Sequence, residues 1–143
     1  MTQRMIASNV LTRAPTPVVC FADVRLTEIK ERRTFRSHLA RWDFEPYGIA
    51  IRKDSLESWG ARAVIYGDED RWNALSDADR PFFQAVSSKD GKQDWRSEHE
   101  IRLCGDLPLK RLGPDEAIVF VPSLEEADQI APLSRWPVVV LAD

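Results

Sequence analysis

Apolar and polar positions along this chain follow two periods, and the changes of period mark its elements. Apolar, β-branched runs predict strands at Val18–Ala22, at Pro46–Lys53 after a turn at Pro46 and Gly48, at Ala61–Tyr66, at Ala117–Val121 and at Pro137–Leu141. A sixth strand is expected at Trp95–Leu103, where charged and apolar residues alternate. Helical spacing joins Leu26, Ile29, Phe35, Leu39 and Trp42, with Lys30, Glu31, Arg32 and Arg33 on the wet side and His38 inside the span. A short helix follows Asp54 or Ser55 as N-cap, turns Leu56 and Trp59 inward and ends at Gly60 in a left-handed position. Trp72, Leu75, Phe82, Phe83 and Val86 predict a third helix, with Pro81 opening its second half. Ser123 caps a fourth, with Glu126 three residues later and an end near Ile130.

About six strands interleaved irregularly with three or four short helices imply an α+β fold with a mixed, largely antiparallel sheet. One domain spans residues 1–143, and within it the prolines of Arg13-Ala-Pro15-Thr-Pro17 separate an N-terminal arm, residues 1–16, from the first strand. The segment Ser87–Gln93 reads as a polar loop. A length of 143 residues with 43% hydrophobic content builds one core without metal or disulfide support.

Charge narrows the function classes. The formal net charge is −3 and no Lys/Arg run is long enough to track a phosphate backbone, so nucleic acid is not indicated. No apolar window is long enough to span a bilayer, and the N-terminus has no continuous apolar core of a signal peptide, so a cytoplasmic protein with no membrane partner is expected. Cys20 and Cys104 each sit in an apolar segment and read as reduced, buried thiols. With two histidines in the chain, a histidine-rich metal site is impossible.

The charged strand is the first place to look for chemistry. Within Trp95-Arg-Ser-Glu98-His-Glu100-Ile-Arg102-Leu, period two sets Glu98, Glu100 and Arg102 on one face, and His99, Ile101 and Leu103 on the other. An unpaired buried carboxylate is costly, so the charged face is either a site or a solvated surface on which Arg102 is paired with a neighbouring carboxylate. No phosphate-binding glycine loop, nucleophile elbow, metal-protease histidine pair or paired CxxC occurs. What remains are sites built from scattered Arg, Tyr and Glu. Transfer from a nicotinamide dinucleotide is one such chemistry: a glutamate holds the ribose and stabilises the developing oxocarbenium, while arginine and aromatic rings hold phosphates and base.

Three blocks occur in order: Val19-Cys-Phe-Ala-Asp23; Tyr47-Gly-Ile-Ala-Ile51-Arg-Lys53 continuing through Gly60-Ala-Arg-Ala-Val64-Ile-Tyr66; and Trp95-Arg-Ser-Glu98-His-Glu100-Ile-Arg102. Over about residues 18 to 130 the chain resembles the AbiGi-type abortive-infection family of phage-resistance proteins. That family carries a "CFTD" strand, a "YG-x-GI-x-F-x-K" turn and strand with a following "G-x-x-PV-x-Y", and a late "W-x-x-E-x-E-W/Y-R" strand. The resemblance implies a role in bacterial defence, as one half of a toxin–antitoxin pair, and more distantly an ADP-ribosyltransferase-like site for NAD. On that reading Glu98 or Glu100 is the catalytic glutamate, Arg52 or Arg102 the phosphate or carboxylate partner, and Tyr47 and Trp95 the stacking surfaces.

The chain also departs from the family pattern. Ala22 replaces the usual Thr, Ala50 and Ala63 stand where bulkier residues or proline are common, and about seventeen residues without histidine precede the first block. Two function classes follow: a transferring or hydrolysing enzyme, or a non-enzymatic protein-binding module, antitoxin or inhibitor on a degenerate version of the scaffold. Glu98, Glu100 and Arg102 lining a pocket with Arg52 or Tyr47 opposite would favour the first, and a flat or solvated edge the second.

Overall fold

A computed structural model describes residues 5–10, 13–36, 41–86 and 99–141. The chain opens with β1 (Met5–Ile6) and β2 (Val18–Ala22), then a 3-10 turn (Leu26–Glu28) that runs into α1 (Ile29–Arg32). Next come β3 (Thr34–Arg36), β4 (Arg41–Asp43), β5 (Gly48–Ile51) and α2 (Lys53–Ser58). They are followed by β6 (Arg62–Ala63), β7 (Ile65–Gly67), α3 (Glu69–Ala74), a 3-10 turn (Arg80–Phe82) and β8 (Phe83–Ala85). The last part holds β9 (Glu100–Cys104), β10 (Leu107–Pro108), β11 (Ala117–Val121), α4 (Leu124–Ile130) and β12 (Val138–Val140).

The class is α+β. Most strand pairs are antiparallel, and among the described residues only β11–β12 and β7–β8 run parallel. The chain forms two compact units, Met1–Asp23 with Leu56–Arg111, and Val24–Ser55 with Leu112–Asp143. In the first, β9 is the middle strand of the sheet β2–β9–β6, and Val18, Val19, Phe82, Phe83, Ile101, Leu103 and Leu107 form its core. Each such side chain contributes roughly 1.5–3 kcal/mol on leaving water. In the second, β11 is the middle of β12–β11–β5, and Ile29, Leu112, Ala117, Phe120 and Val121 are buried. Gly48 lies beneath the Phe120 ring, where a Cβ would overlap ring carbons.

Five of the six expected strands occur, the charged one with described strand residues from Glu100 onward, whereas the one expected at Ala61–Tyr66 is divided at Val64 into β6, which pairs with β9, and β7, which pairs with β8 in another sheet. Ser123 caps α4 as expected, its Oγ accepting the Glu126 N–H at 3.3 Å, and that helix ends at Ile130. Gly60, at φ +93°, closes α2. That helix begins at Lys53, so Asp54 and Ser55 lie inside its first turn and neither is its N-cap.

Two helices are shorter than their spacing predicts. In place of one helix from Leu26 to Trp42, helical structure stops at Arg32 and a hairpin follows, with Phe35 opposite Trp42. Seven residues separate two positions on one helix face, and the same seven join cross-strand partners of a hairpin, so spacing alone cannot tell them apart. Phe35 is exposed rather than core, and His38 lies outside the described residues.

The helix expected around Trp72–Val86 ends at Ala74. Pro81 has no N–H and would clash with the carbonyl of Asp77 in a continuous helix, so the chain turns at Ser76–Asp79 and continues as the 3-10 turn and β8. Within that turn the Ser76 hydroxyl donates to Asp79 Oδ2 at 2.7 Å. The two cysteines are free, as expected, but both are exposed rather than buried. The loop expected at Ser87–Gln93 lies outside the described residues.

Candidate functional site

Antiparallel register brings side chains of three strands onto one face of the first unit. Cys20 of β2 stands opposite Arg102 of β9, Ala22 opposite Glu100, and Arg62 of β6 opposite Arg102 from the other side. Directly opposed residues share a face, so Cys20, Glu100, Arg102 and Arg62 form one polar cluster. Ile101 and Leu103, on the other face, are buried. The strand begins just after His99, whose φ of +46° breaks the extended run and whose carbonyl accepts the Asp23 N–H at 3.1 Å.

Arg102 is the centre of the cluster and is 2% exposed. Its Nε donates to Glu100 Oε1 at 2.7 Å and its Nη2 to Glu100 Oε2 at 3.3 Å. Nη1 donates to the carbonyls of Phe83 at 2.8 Å and Pro81 at 3.3 Å, and Nη2 also donates to Gln84 Oε1 at 2.8 Å. A guanidinium has five N–H donors, and every one is engaged within the chain. The bonds fasten the 3-10 turn and β8 to the central strand. The pairing with a neighbouring carboxylate is the one foreseen for a structural strand face, but it is buried rather than solvated.

Arg62, across from Arg102, has its own acid. Its Nη1 donates to Asp79 Oδ1 at 2.8 Å, and its guanidinium lies 4.7 Å from the centre of the Phe82 ring. Those contacts keep two like charges on neighbouring strands each beside a compensating group. Cys20 faces Glu100 and Arg102, and desolvation, followed by the Glu100 carboxylate, pushes its thiol up to about 12. Burial raises the Cys104 thiol as well, against the Arg62 charge. Thiols shifted in this direction stay protonated at neutral pH and are poor nucleophiles.

Gln84 links this cluster to a cleft of about 300 Å³ lined by Arg13, Asp68, Glu69, Phe83 and neighbouring residues, but not by Glu100 or Arg102. The cation in the cleft is already matched: Arg13 makes a two-pronged pair with Glu69 at 2.6 and 2.9 Å and stacks 4.5 Å from the Trp72 ring centre. Among the described residues no cluster of His, Cys, Asp and Glu has the grouping of a metal site. Nor is any helix among them long and apolar enough to cross a membrane.

The other expected site residues belong to the second unit or lie outside the described residues. Tyr47 is exposed and donates from its hydroxyl to Glu126 Oε1 at 2.5 Å, which raises the phenol and lowers the carboxyl. Arg52 is mostly exposed, with Nη2 3.8 Å from Asp54 Oδ2, and its backbone N–H donates to the Glu116 carbonyl at 2.9 Å. Glu98 and Trp95 lie outside the described residues. The structure thus joins Glu100 to Arg102. Cys20, Arg62 and Gln84 are the members that sequence reasoning missed, and strand pairing, which carries no local signal, is what assembles them.

Comparison with protein-family models finds no match, and neither a curated protein nor a solved structure matches the chain.

Proposed function

We propose that this chain is a cytoplasmic phage-defence protein that acts without catalysis, as a protein-binding module, antitoxin or inhibitor on an AbiGi-like scaffold. The defence role is supported by three sequence blocks in the family's order. The non-catalytic role is supported by one observation: Glu100, the one of the two expected catalytic carboxylates that lies among the described residues, has both oxygens on Arg102, and Arg102, one of the two expected phosphate partners, has no donor left for a phosphate. A glutamate that stabilises an oxocarbenium must turn its charge to the ribose, and a phosphate-binding arginine must turn its fork to the phosphate. Here each turns to the other. The cognate partner is a protein.

Calorimetric titration of the purified chain with NAD to millimolar concentration tests this, repeated with Arg52→Ala and Glu100→Gln. The expected result is no binding heat. Saturable heat that either substitution weakens would overturn the reading in favour of a dinucleotide site. In cells challenged with phage, protection by Glu100→Gln is expected to follow the amount of folded protein, whereas full loss at undiminished folded level would restore a catalytic role.

A further inference from the structure

The cleft of the first unit already holds a guanidinium. It opens at the ends of the parallel strands β7 and β8 and is walled by Asp68 and Glu69 at the start of α3 and by Phe83, Gln84 and Val86. Arg13, from the stretch between β1 and β2, reaches into it. Its Nη1 and Nη2 donate to the two carboxylate oxygens of Glu69 at 2.6 and 2.9 Å, and its guanidinium carbon lies 4.5 Å from the centre of the Trp72 ring. A planar fork on a carboxylate and a flat cation against an indole are the two contacts that select arginine over lysine.

That occupant is easily exchanged. The Arg13 and Glu69 side chains are 52% and 64% exposed, and ion pairs so open to water contribute little to a fold. Ala14 beside it is buried, so the backbone is anchored without the Arg13 side chain. Charge in the cleft is also unbalanced, with two carboxylates lining it for one cation. Asp68 spends Oδ1 on the cap of α3, accepting the Arg71 N–H at 3.0 Å, and its Oδ2 has no hydrogen bond to a described residue. At the same place Val86 leaves an apolar side chain 40% exposed.

We propose that this cleft is the seat for an arginine side chain of a partner protein, and that Arg13 holds the seat in the free chain and yields it to that arginine. The incoming guanidinium takes over the Glu69 fork and the Trp72 face, and an apolar neighbour in the partner covers Val86. Free arginine fits less well, because its own carboxylate meets the surplus negative charge of Asp68 and Glu69, whereas an arginine within a polypeptide brings only the cation. The proposal rests on the protein-binding reading above and names the contact through which it acts.

NMR titration read at the Trp72 indole N–H of the full chain is the test, with N-acetyl-arginine methylamide as probe and free arginine and N-acetyl-lysine methylamide beside it. Arg13→Ala and Arg13→Gln both empty the seat and are expected to keep the wild-type circular dichroism. Each should bind the blocked arginine with a dissociation constant on the order of 10 mM, at least about fivefold more tightly than the wild type. Adding Glu69→Gln should abolish that binding, and the lysine probe and free arginine should bind more weakly. Loss of fold in both Arg13 variants, no binding by either, affinity no higher than that of the wild type, or a preference for lysine or for free arginine would each overturn the proposal. The NAD titration decides the functional reading separately. Heat with NAD beside binding of the blocked arginine would remove the non-catalytic reading and keep the seat, while silence toward both would keep the reading and remove the seat.

Discussion

Arg102 and Glu100 sit two residues apart on one face of β9, with Nε 2.7 Å from Oε1, in a site where the arginine side chain is 3% exposed and the glutamate 15%. A charge so far from water persists only when its donors are matched, and here carbonyls of Pro81 and Phe83 complete the set. Arg102→Met is expected to destabilise the fold by about 3–5 kcal/mol, since it leaves Glu100 buried without its cation. Arg102→Lys should recover little, because an ammonium cannot reproduce the planar fork. Urea unfolding measures both, and a lysine variant as stable as the wild type would remove the clamp from this account.

Cys20 is exposed as a residue, yet its thiol is held up to about 12 by desolvation and by Glu100. Alkylation by iodoacetamide at neutral pH should be much slower than that of a free thiol such as glutathione and should rise with pH well past 9. Glu100→Gln should accelerate it by removing the carboxylate charge. The sign for stability follows from the same shift. In the unfolded chain the thiol ionises first, near its ordinary 9.0, so the native state holds the extra proton and stability falls as pH climbs from about 9 toward 12. Alkylation at the glutathione rate would contradict the assignment.

Strands were legible in this sequence where they are short, apolar and bounded by turn residues, as at Val18–Ala22, Ala117–Val121 and Pro137–Leu141. The alternation of Glu100, Ile101 and Arg102 also placed the two charges on one face. The hairpin at Phe35 and Trp42 was not legible, since its seven-residue pairing distance coincides with two turns of helix. Nor was the clamp: Gln84, Pro81 and Phe83 meet Arg102 only through contacts between segments about twenty residues apart in sequence, and Cys20 reaches it through β2–β9 register. Local patterns report local periods, while this cluster is made by pairing.

Glu116 accepts from the Ser55 hydroxyl at 2.6 Å and from the Gly113 N–H at 2.5 Å, and these bonds, the Ser55 one foremost, lower its carboxyl below the ordinary value. A depressed carboxylate contributes stability that is present above its unfolded value and lost as pH falls through the folded one. Ser55→Ala is therefore expected to move the Glu116 titration upward in carbon-detected NMR and to bring acid unfolding to higher pH. An unmoved titration would show that the Ser55 hydroxyl does not set the shift, leaving it to the Gly113 N–H and the Arg52 charge.

Gly60 ends α2 with two bonds that close its last turn: the Gly60 N–H donates to the Glu57 carbonyl and the Ala61 N–H to the Leu56 carbonyl, each at 3.0 Å. The second bond reaches back five residues, which requires the left-handed φ of +93° at Gly60. A Cβ there would meet no atom within 4 Å, so crowding is not what selects glycine. Gly60→Ala should then cost about 1–2 kcal/mol, the strain of a left-handed alanine alone. Gly48→Ala fails for the opposite reason, a permitted backbone with Phe120 in the way, at about 1–3 kcal/mol of overpacking. The two are separated by adding Phe120→Leu: the smaller side chain should reduce the cost of Gly48→Ala and leave that of Gly60→Ala unchanged, and denaturant midpoints of the four variants decide it.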